Sequence, residues 1–416
     1  MKRPRTGRHE AAAMNQALQS VIPTHVAPDR VLDFDLYHDE GLLTDPSARM
    51  QDLLANAPDF FYTPRNGGHW VVIGKEAINE MIHLLDLFTT VDSGIPAPPE
   101  GQPFLRTPPL DRDPPDHGPL RALINPFLSP KVIFALEDEI RALSVELIEK
   151  VRPLGRCEFV AAFALPVPVL TFMKRMGMDL ARYQEFSDWV CNYLDGDTIE
   201  IKQDCGAKMM QYLGELIRER QARPGHDWIS QLLASRIDGR PVDAETVVAP
   251  ICNLLFIAGL DTVKNGMCHF ARILAARPDL QRRLREQPGI AQEAVEELLR
   301  SFGGTTPPRR VKRDGEFRGA QVKKGEPVIF YLPSVGIDAA NVADPLRIDF
   351  DRAWKPHIAF GAGPHRCAGS HLARLELRIF LQEWMQRIPE FRIAPGTRPE
   401  FRPNMVNGVG SLHLVW

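Results

Sequence analysis

The sequence predicts a mostly α protein with small β regions, on three observations. Across residues 131–276 apolar side chains recur at three- and four-residue spacing, broken by loops such as Arg223-Pro224-Gly225, the pattern of packed helices. Near the start, Phe60-Phe61-Tyr62-Thr63-Pro64 and His69-Trp70-Val71-Val72-Ile73 flank Arg65-Asn66-Gly67-Gly68, and such runs around Asn-Gly signal a hairpin. Toward the end, residues 322–332 return to strand-like composition, and residues 404–416 read as a terminal hairpin around Asn407-Gly408.

With 416 residues the chain can bury one large core or two fused lobes and enclose a cofactor. Lys plus Arg at 50 against Asp plus Glu at 53 leave a net charge of −3, so no basic excess points to nucleic acid. The six cysteines, Cys157, Cys191, Cys205, Cys252, Cys268 and Cys367, form no C-x-x-C pair and no zinc-type spacing, which suits a reducing cytoplasm. Residues 1–8 are basic, but no apolar core follows as a signal peptide would require. Residues 1–25 read as a disordered extension, with Met14 a second candidate start. The most apolar stretch, 247–260, is shorter than a bilayer span and runs into Asp261, so it reads as a buried helix, and no membrane association is expected.

The densest chemical signal is Phe360-Gly361-Ala362-Gly363-Pro364-His365-Arg366-Cys367-Ala368-Gly369. Gly361 and Gly363 allow a tight turn beneath Cys367, so that backbone N–H groups can point at the sulfur. The helix expected to start at Ala368-Gly369-Ser370 places a positive dipole end beside the thiol, which lowers its pKa. Gly369 leaves room for a flat group and Phe360 shields the sulfur edge. A single cysteine after a Gly-rich loop is by itself more often a buried structural residue.

This run resembles the haem-ligand loop of the cytochrome P450 family, in which the Cys is the axial iron ligand. Three further segments occur in that family's order. Ala258-Gly259-Leu260-Asp261-Thr262 lies in a long helix capped near Asp243 and ending before Pro278, and it resembles the oxygen-activation groove. There the resemblance implies that Asp261 relays protons, Thr262 donates a hydrogen bond to activated dioxygen, the helix opens locally, and the small Ala258 and Gly259 leave room for the cofactor. Without Cys367, a Thr bonding its own helix backbone would be the plainer reading. Glu297-Leu298-Leu299-Arg300 sets an acid and an Arg three apart, and resembles the buried pair bracing the cysteine loop. Asp113-Pro114-Pro115-Asp116-His117-Gly118-Pro119-Leu120-Arg121 resembles the propionate clamp, with His117, Arg121, Arg309 and His365 as donors to two carboxylates.

The resemblance spans nearly the whole chain and implies a P450 fold over residues 26–416 as a single domain. Haem b would lie between the central helix and the Cys367 loop. Its β-rich parts are expected near 55–75, 310–335 and 395–416, its α-rich parts at 110–300 and 368–388. Gly259-Leu260-Asp261-Thr262-Val263 and the closing Leu414-Val415-Trp416 are most similar to the soluble bacterial camphor-hydroxylase branch. That branch carries a Tyr before its Asp-Pro-Pro turn, where this chain has Pro103-Phe104-Leu105-Arg106-Thr107, and it lacks the hydroxyls of Thr305-Thr306. The lining implied is Phe104, Leu105, Leu254 and Ile257, with Ala258, Thr305, Met405 and Val406, an apolar pocket for a small terpenoid or norisoprenoid.

The activity implied is insertion of one oxygen atom of O2 into an unactivated C–H bond. Electrons would come from a [2Fe-2S] ferredoxin and its NAD(P)H-dependent reductase, docking where Arg121, His365, Arg366 and Lys75 offer positive charge. A monomer is expected. A peroxide-driven peroxygenase and a non-enzymatic haem-based sensor are the alternatives; Asp261-Thr262 weighs against the first and the lack of a recognisable DNA-binding segment against the second.

Overall fold

The computed structural model describes residues 21–95, 105–196 and 198–416. Residues 1–20 of the expected extension and Phe104 lie outside them. Helices dominate, with small sheets at the periphery.

The N-terminal β region forms where expected. Phe60–Thr63 (β1) pairs antiparallel with His69–Val72 (β2), joined through a short turn at Arg65–Gly67 in which Asn66 takes φ 56°. Phe88–Thr89 (β3), Pro308–Val311 (β4) and Pro327–Phe330 (β5) complete a five-stranded sheet in the order β1-β2-β5-β4-β3. β5 runs parallel to β2, with Val328 beside Trp70, and antiparallel to β4, with Val328 beside Arg309. The aromatic run predicted for this region packs tightly: Phe60 stacks on Trp70 at 4.4 Å.

The terminal hairpin differs from expectation. Glu400–Arg402 pairs with Gly408–Ser411 across a longer loop, while His413–Val415 joins another sheet between Arg392–Ile393 and Arg156–Glu158. Gly408 therefore sits in a strand, opposite Arg402, and the chain turns over residues 403–407. Tertiary pairing with a strand from the middle of the chain outcompetes the local Asn-Gly turn.

Asp243 caps the central helix as expected, accepting from the amides of Glu245 (3.0 Å) and Thr246 (2.7 Å). A π-helical turn, Ala244–Val248, leads into the α-helix Ala249–Ala275. By length and composition residues Ala244–Ala275 could cross a membrane, so the apolar stretch is longer than the 247–260 read from sequence. In the fold this helix packs against Pro166–Met176, Tyr183–Asp195, Ile199–Ala222 and Ser370–Arg387, which explains its apolarity by burial in protein.

The helix Ser370–Arg387 follows the cysteine loop and is held by rings. Trp384, fully buried, meets Phe159 edge-on at 4.9 Å, Phe163 at 5.2 Å and Trp416 at 6.0 Å. These contacts tie the helix to the middle and to the end of the chain. Trp384→Ala should therefore remove about 3–5 kcal/mol of stability, read as a lowered urea midpoint at unchanged slope.

Candidate functional site

The loop before Cys367 is shaped by its glycines. Gly361 and Gly363 both take φ of 66°, the left-handed region open to glycine. The turn closes through the Cys367 amide donating to Phe360 O at 2.8 Å and the Arg366 amide to Gly363 O at 3.2 Å. A Cβ on Gly369 would stand 3.8 Å from Cys367 Sγ, so the helix start lies directly against the sulfur.

Cys367 has open surface, yet burial is the largest influence on its thiol and pushes the pKa up. The residue thus keeps surface while its thiol is closely surrounded by protein. The Gly369 amide and the charges of Arg121, Arg374 and Arg366 pull the other way without prevailing. The lowered pKa expected from the helix dipole alone is thus not reached by the protein groups, because burial outweighs them. Phe360 packs on the main core and lies 4.4 Å beneath the Arg374 guanidinium. Arg374 in turn grips Glu296 at 2.6 and 3.0 Å, and His357 Nε2 reaches the same carboxylate at 3.0 Å. Burial raises the Glu296 carboxyl, but His357 and Arg374 overcome it and bring it to about 2. The sequence offered no signal for this cluster.

Glu297 and Arg300 are wholly buried on the helix Ala291–Phe302. Arg300 Nε and Nη2 each donate to Glu297 at 2.8 Å, and the guanidinium also reaches the carbonyls of Gly336, Pro345 (2.9 Å) and Arg347 (3.1 Å). Glu297 accepts from the Asp349 amide at 3.0 Å and from Arg352 Nε at 3.2 Å. The pair thus pins the segment that leads into the cysteine loop, and Arg352 is a third member that spacing alone could not reveal.

A cluster of donors gathers near Cys367. His117, on the helix His117–Ile124, lies 4.6 Å from the ring of His365. His117 Nε2 and both nitrogens of His365 are buried without a hydrogen-bond partner among the described residues. Burial first, then the charges of Arg309, His117 and Arg121, bring His365 down to about 3. His365 is therefore neutral, and the positive charge expected of it at a docking face is absent. Arg309 lies on β4 over the Phe330 ring at 4.9 Å, and burial lowers it to about 10. Arg121 donates to Asn125 Oδ1 at 2.8 Å and to Arg366 O at 2.7 Å, which ties the clamp helix to the cysteine loop. Asp113 anchors the preceding turn, accepting from Thr89 Oγ1 at 2.6 Å and the Thr90 amide at 3.1 Å.

Orphaned buried donors beside an open sulfur fit a flat cofactor carrying two carboxylates, as haem b does. His117, His365 and Arg309 would hold the carboxylates, and Cys367 the iron.

The central helix presents different faces to different neighbours. Leu254, Ala258 and Thr262, four apart, keep accessible surface in mid-helix, Ala258 being exposed. Thr262 Oγ1 donates to Ala258 O at 3.1 Å, and the helix runs unbroken through this point instead of opening. Gly259 faces elsewhere: a Cβ there would come within 2.5 Å of the Phe172 ring. Its small size serves close helix packing, which corrects its expected place beside the cofactor. Asp261 is buried and ion-paired to Lys264, and it accepts from Asn265 Nδ2 at 2.9 Å.

Of the expected pocket lining, Thr305, Met405 and Val406 come together, since the Thr306 amide donates to Met405 O at 2.9 Å. Thr306 Oγ1 is buried without a partner among the described residues. Leu105 and Leu254 are half-buried, Ile257 packs on the main core and Met405 on a second apolar cluster beside the sheet.

Two outcomes test this bracing. Arg300→Leu removes the two-pronged partner of a buried carboxylate, leaving it Arg352 and the Asp349 amide, and should cost about 3 kcal/mol in urea unfolding. The depressed Glu296 carboxyl contributes stability that is present above its ordinary value of 4.5 and lost as pH falls through about 2. Glu296→Gln should accordingly flatten the acid limb of the pH–stability curve over that window.

The family model described as Cytochrome P450 matches residues 290–412. Over 405 residues the chain is 32% identical to a probable cytochrome P450 127A1 of Sinorhizobium fredii, covering 95% of this chain and 97% of that one. It is 30% identical to a linalool 8-monooxygenase of Pseudomonas putida over 76% of this chain and 79% of that protein. The crystal structure of CYP101J2 matches with a TM-score of 0.87 at 33% identity, covering 95% of this chain and 99% of that one. With likeness in sequence and fold along nearly its whole length, the chain belongs to the cytochrome P450 family of haem b monooxygenases.

Proposed function

We propose that this enzyme hydroxylates an unactivated C–H bond of a small hydrophobic terpenoid or norisoprenoid, using O2 and electrons from a [2Fe-2S] ferredoxin served by an NAD(P)H-dependent reductase. The observation that carries the reading is Cys367 at the open edge of a loop braced by Glu297-Arg300 and Glu296-Arg374. Bound haem b supplies the dioxygen chemistry, with the Cys367 thiolate donating electron density. His117, His365, Arg309 and Arg121 bind and orient its carboxylates and desolvate them. Thr262, on the accessible stripe of the central helix, would release Ala258 O to donate a hydrogen bond into the site, with Asp261, the preceding residue of the helix, as the source of the proton.

The apolar stripe at Leu254 and Ala258, with Leu105, Ile257, Met405 and Val406, supports a hydrophobic substrate oriented by few polar points such as Thr305. Similarity to a linalool 8-monooxygenase, which by its name acts on a small terpenoid alcohol, supports the substrate class. Similarity to CYP101J2 and the camphor-hydroxylase features of the sequence support the ferredoxin. Exposed Arg366, beside the thiol, and Lys75, 4.6 Å over exposed Trp354, offer it charge. A cytoplasmic monomer, with residues 26–416 acting as one unit, completes the reading.

Optical titration of the purified ferric enzyme with a bicyclic monoterpenoid ketone and a norisoprenoid ketone should give a saturable low-spin to high-spin shift. A low-spin haem spectrum that neither ketone moves would remove the terpenoid assignment. Asp261→Asn should lower turnover by about 100-fold at unchanged substrate affinity, and Thr262→Ala should divert consumed oxygen to hydrogen peroxide.

A further inference from the structure

Met405 and Val406, two of the expected substrate contacts, sit on the connection 403–407 between the paired strands Glu400–Arg402 and Gly408–Ser411. Strand pairing fixes its ends, with Arg402 opposite Gly408, but its middle lies outside that pairing. Long-range hydrogen bonds reach into it instead. The Thr306 amide donates to Met405 O at 2.9 Å, and His269 Nε2 meets Asn407 O at 3.0 Å. Inside the loop, the Val406 amide donates to Asn404 Oδ1 at 2.5 Å, and the Tyr331 hydroxyl reaches Asn407 Oδ1 at 3.4 Å.

His269 belongs to the central helix Ala249–Ala275, seven residues after Thr262. Successive residues turn by about 100° and rise by about 1.5 Å, so it lies within about 20° of Thr262 and about 10 Å further along the axis. The accessible stripe of Leu254, Ala258 and Thr262 therefore runs on into His269, which is buried, and the loop lies across the end of that stripe. The imidazole is held flat by rings on either side of the site, Phe302 at 4.2 Å and 26° and Phe401 at 6.1 Å and 20°. Burial, followed by the charge of Arg272, brings it to about 3, so it is neutral. A neutral imidazole carries one N–H and a carbonyl only accepts, so Nε2 is the donor. Asn407, the acceptor, takes φ 48°, a left-handed conformation that asparagine tolerates.

We infer that His269 is a positioning residue for the substrate: by tying Asn407 to the central helix it sets how far Met405 and Val406 stand from the Thr262 stripe, and so which carbon is oxidised. The inference rests on the hydroxylase reading of this site and adds a determinant of its selectivity. Losing the bond frees the loop, while the pairing of Arg402 with Gly408 keeps it attached, so its shape changes and the fold does not.

The test compares the haem-loaded enzyme with His269→Phe and His269→Gln. Phenylalanine keeps a flat ring beside Phe302 and Phe401 and removes the donor, whereas glutamine keeps a donor near the Nε2 position and loses the ring. Hydrogen–deuterium exchange over residues 403–409 should quicken about fivefold in His269→Phe, the worth of one neutral hydrogen bond. Room around the loop is read with two ligands of haem iron: 4-phenylimidazole, whose second ring needs space, and imidazole, which needs little. The ratio of their dissociation constants should change severalfold in His269→Phe. With linalool as probe and a [2Fe-2S] ferredoxin and reductase, the proportions of its oxidation products should shift as well. All three readouts should return toward the parent in His269→Gln. His269→Met, also without a donor, stands in if the phenylalanine variant does not take up haem. The inference is overturned if the donor-free variant matches the parent in exchange, ligand ratio or product proportions, or if His269→Gln lies no closer to the parent than it does. Failure of the terpenoid reading is distinct: the parent would then leave linalool unchanged, and exchange and ligand ratio would still decide the role of His269.

Discussion

The buried pair Glu297–Arg300 is the constraint on which the site depends. An ion pair with no solvent contact is tolerable only when the remaining hydrogen-bonding capacity is used, since a stranded charge in the core costs several kcal/mol. Here that condition recruits backbone from elsewhere: carbonyls of Gly336, Pro345 and Arg347, and the amide of Asp349. The segment leading to Cys367 consequently has one low-energy path. Glu296, the preceding residue, grips Arg374 and His357, so adjacent acids on one helix hold the loop from both of its ends.

The recess beside the sulfur penalises charge of either sign. Burial raises the Cys367 thiol, lowers His365 to about 3 and lowers Arg309 to about 10. Polar groups held buried without a partner, as the His365 and His117 nitrogens are, are expensive for the protein alone. They would become favourable with a ligand of opposite charge, as a cofactor bringing two carboxylates to the donors and an iron to the sulfur would be. The cost of the site is therefore linked to occupancy, and cofactor binding adds to the stability of the fold.

The central helix divides tasks by angle. Gly259 lets Phe172 approach, Ala258 and Thr262 keep accessible surface, and Asp261 turns to Lys264 and Asn265. Four consecutive residues, Ala258 to Asp261 with Thr262 following, serve different neighbours because each step rotates about 100°. Adjacency in the sequence made Asp261 and Thr262 read as partners. In the fold they belong to different faces.

Local chemistry by itself determined much of this protein. The positive φ needed at Gly361 and Gly363, the cap at Asp243, the hairpin before Trp70 and the spacing of Glu297 and Arg300 are each decided within a few residues, so they were legible. What only the tertiary structure decided are contacts between distant segments. Cys191 reaches Asp261 and Lys264 across 70 and 73 residues of chain, Arg352 joins Glu297, and His413–Val415 leaves its hairpin for Arg156–Glu158. Side chains carry no signal of such partners, because burial makes each pairing necessary and burial is a property of the folded chain. Gly259 shows the same limit: its lack of a side chain was visible, but which neighbour needed the space was settled only when Phe172 packed against it.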